Sequence, residues 1–133
     1  MRVQRRNSRG FTLIELMIVM SLIAVLAGIG LTMYANSQTR AREAVLKEDL
    51  FRLRDAIDQY YADKSQYPPS LDTLVSEKYL RALPIDPFTG STETWQTTMS
   101  DADAANPSAT PGVYDVKSGS DRTSIDGTPY SNW

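Results

Sequence analysis

The sequence contains no cysteine and no histidine. Without cysteine no disulfide can form, and without histidine the commonest metal ligand and general base is missing. Ser–His, Cys–His and His–metal sites are therefore excluded, and no glycine-rich phosphate-binding loop is found. The carboxylates of Asp101 and Asp103 fall in a predicted exposed loop, where a solvated surface role is expected. The sequence thus predicts a protein that is not an enzyme.

Acidic residues are also absent from the first ten positions, whereas arginine occurs there four times, at Arg2, Arg5, Arg6 and Arg9. The run from Phe11 to Leu31 that follows is apolar or small except at Thr12, Glu15 and Ser21. At about 1.5 Å per residue, a helix of this length spans a hydrocarbon core of about 30 Å. We therefore predict one membrane-spanning helix, with its N-terminus in the cytoplasm because of the basic leader.

A basic leader, Gly10, and a membrane-length helix with one early carboxylate, Glu15, resemble the class III signal of type IV pilins and type II secretion pseudopilins. In that family a prepilin peptidase cuts after the glycine, which implies cleavage between Gly10 and Phe11 and N-methylation of Phe11. The resemblance also implies that Glu15 of one subunit pairs with the Phe11 amine of a neighbour in a filament. A partner is expected on physical grounds, since a carboxylate costs about 2.5–3.5 kcal/mol at the centre of a membrane helix.

Two plainer interpretations of this stretch are an ordinary secretory signal and a simple membrane anchor. A secretory signal has an apolar region of about 7–15 residues and an A-x-A-like cleavage site. Here the apolar run is longer, and its small residues, such as Ala24 and Ala27, do not fall in that pattern. A simple anchor would carry Glu15 without a function.

Charge argues against nucleic acid as a partner. The whole chain has 14 basic and 16 acidic residues, and loss of the four leader arginines leaves 10 basic residues and a side-chain charge of −6. An acidic exported surface with no basic stripe is not suited to binding phosphate backbones.

After Leu31 no strong helix breaker occurs until Tyr67-Pro68, so the helix is predicted to continue to about Asp63. Its second half carries one apolar stripe at steps of 4, 3, 4 and 3 residues, formed by Leu46, Leu50, Leu53, Ile57 and Tyr60. Arg54 and Asp58 are predicted to form an i,i+4 ion pair. The segments are then a cleaved leader at 1–10, a transmembrane or filament-core helix at 11–31, its amphipathic continuation at 32–63 and a globular head at 64–133.

In the head, Ser70 is predicted to cap a short helix, and Pro84, Pro87 and Gly90 a turn. Strands are predicted at Glu93–Met99 and Gly112–Lys117, with an exposed loop at 100–111 between them. The predicted fold class is α+β: a long N-terminal helix packed against a small antiparallel sheet, type IV pilin-like.

The C-terminal stretch resembles that of major pseudopilins of type II secretion at Tyr114-Asp115, Ser118-Gly119, Asp121 and Asn132-Trp133. In that family the loop binds calcium, which implies Asp121 and Asp126 as ligands here. Such aspartates in glycine-rich loops are also common turn formers, so this alternative stays open. Trp133 is predicted to pack its indole against the head.

The resemblance implies a structural subunit of a secretion pseudopilus, anchored in the inner membrane with a periplasmic head. The implied partners are further copies of the chain, the prepilin peptidase, minor pseudopilins and an inner-membrane assembly platform. The alternatives are a type IV pilin of a surface fibre, serving adhesion, motility or DNA uptake, and a membrane-anchored binding domain that never polymerises. The absence of cysteine favours a pseudopilin, because many type IV pilins close their C-terminal region with a disulfide.

Overall fold

The fold comes from a computed structural model that describes residues 9–101 and 110–133. Two compact units are present, one ending at Ser37 and the other comprising Gln38–Trp133. The elements in chain order are helix α1 (Leu13–Lys64), helix α2 (Leu71–Ser76), strands β1 (Gln96–Met99) and β2 (Val113–Lys117), and a 3₁₀ helix (Tyr130–Asn132). The predicted α+β class, with one long helix and a small antiparallel sheet, is confirmed.

Helix α1 is 52 residues long. No proline interrupts it, because Pro68 is the first proline in the sequence. The helix ends where Ser65 adopts a left-handed conformation with φ of 55°, and the Ser65 N–H donates to the carbonyl of Tyr61 at 2.8 Å. The observed end lies one residue beyond the predicted one.

In the unit that ends at Ser37, the large apolar side chains of α1 are exposed on all sides. The least exposed of them, Val19, still has 45% of its surface accessible. By length and composition this part of α1 is able to cross a membrane. A helix that is apolar all round is suited to surroundings of lipid or of other helices.

In the second unit, the predicted stripe of α1 forms the centre of the core, and each of its five members is at most 4% exposed. The rest of the core comes from α1, α2, the residue before β1, β2 and the C-terminal stretch, through Ala56, Leu71, Leu74, Trp95, Val113, Val116 and Tyr130. Burying such side chains stabilises the fold by about 1.5–3 kcal/mol each. The predicted packing of helix against sheet is therefore confirmed.

The sheet has two antiparallel strands, with Gln96 opposite Lys117 and Met99 opposite Val113. The register shifts between Thr98 and Met99. β1 begins three residues later than predicted, because Trp95 is buried in the core and its indole N–H donates to the Pro84 carbonyl at 2.9 Å. The predicted loop at 100–111 falls largely on residues 102–109, outside the described residues.

The predicted turn after Pro84 is organised by Asp86, which is fully buried. One oxygen of its carboxylate accepts the N–H of Phe88 at 2.9 Å, and the other accepts the hydroxyl of Ser118. Gly90 completes the turn with φ of 71°. This carboxylate therefore joins the turn to the end of β2.

Candidate functional site

The predicted processing site, Gly10 and Phe11, lies in irregular backbone just before α1. Phe11 is 87% exposed, and among the described residues no atom beyond the chain neighbours of Gly10 lies within 4 Å of the position where it would carry a Cβ. The peptide bond between the two residues is thus open to approach. Cleavage of this bond stays a prediction, and the exposure of the bond is compatible with it.

Glu15 forms a reciprocal pair with Thr12 at the start of α1. The N–H of Glu15 donates to Thr12 Oγ1 at 3.2 Å, and the N–H of Thr12 reaches Glu15 Oε2 at 3.5 Å. This is a capping box, which satisfies two N–H groups that a helix N-terminus leaves free. Its sequence signal is the Thr-x-x-Glu spacing, whereas the sequence-based prediction for Glu15 concerned assembly alone.

The carboxylate of Glu15 is exposed and keeps most of its bonding capacity. Within the described parts of the chain, no lysine or arginine makes an ion pair with it. An ionised carboxylate can accept about four hydrogen bonds, and the Thr12 N–H occupies one of these places at a long distance. Glu15 can therefore accept a cationic partner from outside its own chain.

In the second predicted site, the calcium loop, the described acidic side chains do not converge on one point. Asp121 and Asp126 are both exposed, and the described residues contain no group of three or more His, Cys, Asp or Glu side chains able to hold a metal ion. The neighbouring carboxylate, that of Asp115, is bonded to Arg54 instead. Since calcium needs six to eight oxygen ligands, these residues do not fit a calcium site. Calcium binding stays a prediction without support from this geometry.

Arg54 has different partners from the predicted one. Its Nε donates to Asp115 Oδ1 at 2.9 Å, and its Nη2 donates to the main-chain oxygens of Val116 at 2.9 Å and Trp133 at 2.8 Å. The predicted ion pair with Asp58 is wrong, because folding brings β2 and Trp133 to this side of α1. These long-range contacts carried no local sequence signal.

Glu43 is a further buried group of α1 that sequence reasoning missed. It is 8% exposed, and its Oε1 accepts the N–H of Ile125 and the hydroxyl of Tyr130, each at 2.9 Å. Burial, together with the hydrogen bond to Glu43, raises the pKa of Tyr130 to about 12. The Tyr130 ring stacks on Phe88 at 4.0 Å and meets the edge of Trp133 at 5.0 Å, so the predicted packing of Trp133 is confirmed.

Comparison with known proteins first identifies the class. Residues 5–31 match the family described as the prokaryotic N-terminal methylation motif. The match includes Gly10, Phe11 and Glu15, so the stretch before α1 and the first half of that helix carry the motif of pilin-like proteins.

Relatives identify the family more closely. The chain is 31% identical over 102 residues to type II secretion system core protein G of Pseudomonas aeruginosa, which covers 65% of this chain and 72% of the relative. The same protein of Escherichia coli is 31% identical over 98 residues, covering 62% and 68%. A type IV major pilin protein of Myxococcus xanthus is 41% identical over 69 residues, covering 50% and 31%. No solved structure matches significantly. The chain belongs to the family of type II secretion system core protein G.

Proposed function

We propose that this chain is a structural subunit of a pseudopilus, a pilus-like filament that drives protein secretion across the outer membrane. Its membership of the core protein G family supports this function. One observation carries the proposal: Glu15 is exposed and has no ion-pair partner in the described residues, at the start of a helix whose first half has exposed apolar side chains. Among the described residues of one chain, Glu15 lacks a cation and the apolar half of α1 lacks a packing partner, and a bundle of copies supplies both.

The first step is processing. A prepilin peptidase cleaves between Gly10 and Phe11, and Phe11 becomes the methylated N-terminus. Cleavage removes the arginine-rich leader and creates a positive amine on the residue that directly precedes Thr12. The amine and the carboxylate of Glu15 then lie at the same end of α1, where a neighbouring helix can contact both.

The second step is assembly, in which the Phe11 amine of one subunit pairs with Glu15 of another. Two unit charges 4 Å apart attract by about 4 kcal/mol at an effective dielectric of about 20. This exceeds the cost of about 2.5–3.5 kcal/mol for an isolated carboxylate at the centre of a membrane helix. Because only one axial offset of the helices brings the two groups together, the pair also sets the stagger between subunits.

We place the helix in the inner membrane with its N-terminus in the cytoplasm and the head in the periplasm. The leader arginines support this orientation through the positive-inside bias, and the exposed apolar half of α1 supports membrane anchoring. The proposed partners are further copies of the chain, minor pseudopilins and an inner-membrane assembly platform. Nucleic acid is not among them, since the mature chain is acidic.

A type IV pilin of a surface fibre is the second candidate, favoured by the similarity to the Myxococcus pilin. Electron microscopy separates the two, since a surface pilin gives long extracellular fibres and a pseudopilin gives short periplasmic filaments. An anchored domain that never polymerises gives neither.

The proposal is tested by Glu15→Gln, which removes the charge and keeps the shape. The control is Glu48→Gln, because Glu48 is an exposed carboxylate of α1 paired with Arg52 at 2.9 Å. We expect the mature wild-type protein to begin with methylated Phe11 by mass spectrometry. Filament yield should fall at least about tenfold in Glu15→Gln, because losing about 1.4 kcal/mol or more of association free energy weakens assembly by that factor. Filament yield should stay unchanged in the control. A mature protein that keeps its leader, or normal filaments from Glu15→Gln, would contradict the proposal.

A further inference from the structure

We propose that three side chains of α1, Glu43, Lys47 and Arg54, hold the C-terminal tail in place of a calcium ion. The tail is defined here as Ser118–Trp133, and the three side chains are called the tail clasp. The family resemblance implies calcium as the agent that folds this segment. The tail of this chain is instead bound to the helix through contacts made by the protein itself.

Arg54 binds oxygen atoms of the kind that a hard cation such as calcium needs as ligands. Its guanidinium binds one carboxylate oxygen, from Asp115, and two main-chain oxygens, from Val116 and Trp133, at 2.8–2.9 Å. Carboxylate and carbonyl oxygens are also the usual protein ligands of calcium. The guanidinium is planar and carries five N–H donors in a fixed fork, so one side chain can join the end of β2 to the far end of the tail.

Glu43 and Lys47 hold the remaining parts of the tail. Glu43 accepts the N–H of Ile125 and the hydroxyl of Tyr130, so one buried carboxylate fixes the middle of the tail. The Lys47 Nζ lies 4.6 Å from the centre of the Trp133 ring, a cation–π contact. The three clasp residues are spaced by four and seven positions and therefore lie along one face of α1.

The carboxylates in and next to the tail do not form a calcium site. Asp115 is engaged by Arg54, and Asp121 and Asp126 are exposed. In the portion of the chain that the structure describes, no third acidic side chain joins them to form a group able to bind a metal. The contacts of the clasp and the exposure of Asp121 and Asp126 both indicate a tail that folds without calcium.

The test is thermal unfolding of the full chain in detergent, monitored by tryptophan fluorescence. It is run once with excess calcium chloride and once with excess chelator. We expect the same midpoint in both conditions. Arg54→Met should lower the midpoint by about 5–10 °C, because it removes three charge-assisted hydrogen bonds. The control, Arg52→Met, removes an exposed i,i+4 ion pair of the same helix and should change it by no more than about 2 °C. A fall in the wild-type midpoint on chelation, or equal effects of the two variants, would overturn the clasp.

Trypsin cleavage after Arg122, an exposed residue within the tail, supplies a second measurement if Arg54→Met does not fold. Arg54→Lys keeps the charge but cannot make the three-pronged contact, so we expect cleavage several-fold faster than in the wild type. Calcium should not slow it in either protein. Slowing by calcium, or an unchanged rate in Arg54→Lys, would also overturn the proposal. Neither measurement depends on filament assembly. A result that overturns the tail clasp therefore does not contradict the proposed function, which the Glu15→Gln experiment tests separately.

Discussion

Replacing Tyr130 with phenylalanine removes one buried hydroxyl from the tail while keeping the ring. Tyr130 is 1% exposed, and its hydroxyl donates to the carboxylate of Glu43 at 2.9 Å. Hydrogen bonds to charged groups contribute about 1.5–3 kcal/mol, so the variant should lose about 2 kcal/mol of unfolding free energy. Glu43→Gln keeps one oxygen acceptor, loses the charge and replaces the second oxygen with an NH2 group, and its cost should be nearer 1 kcal/mol.

The burial of Tyr130, together with the same bond, predicts a pH dependence. The pKa of Tyr130 is raised from 10.0 to about 12 in the folded protein, chiefly by burial and then by Glu43. The folded state therefore favours the protonated phenol. The stability that the protonated phenol contributes to the folded protein is complete below about pH 10 and is lost as the pH rises towards about 12.

The assay is a double-mutant cycle on Tyr130→Phe and Glu43→Gln, with urea unfolding of the full chain in detergent at neutral and alkaline pH. We expect a coupling energy of at least about 0.5 kcal/mol at neutral pH. We also expect a smaller alkaline loss of stability in Tyr130→Phe than in the wild type. A coupling energy of zero, or identical alkaline losses, would refute the hydrogen bond as a source of tail stability.

Two further substitutions test the packing of the head. Gly119→Ala should destabilise the protein by about 1–3 kcal/mol in urea unfolding, since its Cβ would overlap the main-chain oxygen of Thr94. The control, Gly28→Ala, has open space around the new Cβ and should not destabilise the protein. Asp49→Asn should raise the melting midpoint at neutral pH, because burial first and then neighbouring carboxylates raise the pKa of Asp49, so the ionised form is disfavoured on folding. This gain should shrink as the pH falls and Asp49 becomes protonated, and Asp58→Asn, at an exposed position, should show no gain. An unchanged midpoint in Asp49→Asn, or a stable Gly119→Ala, would contradict these assignments.

Local patterns predicted the regular elements well. Helix α1 follows from a long stretch free of proline and from an apolar stripe at helical spacing, and both features are visible over a few turns. The strands follow from short runs rich in β-formers, although β1 begins late because Trp95 turns into the core. The candidate processing site follows from residues adjacent in sequence, Gly10, Phe11 and Glu15, and their roles remain predictions.

Contacts between distant residues were not predictable in the same way. The spacing of four residues predicts Asp58 as the partner of Arg54, whereas its partner Asp115 is 61 residues away. Glu43 and Tyr130 are separated by 87 residues. A charged side chain has many potential partners in a sequence, and only packing of the core decides which of them comes within hydrogen-bond distance.

The sequence alone thus determined an arginine-rich N-terminal stretch, a membrane-length helix with one early carboxylate, and an amphipathic continuation that needs a small head. These depend on composition and periodicity, which act over neighbouring residues. Tertiary structure decided how the tail is fixed, because the face of α1 that carries Glu43, Lys47 and Arg54 meets its partners only after strand and helix have packed together.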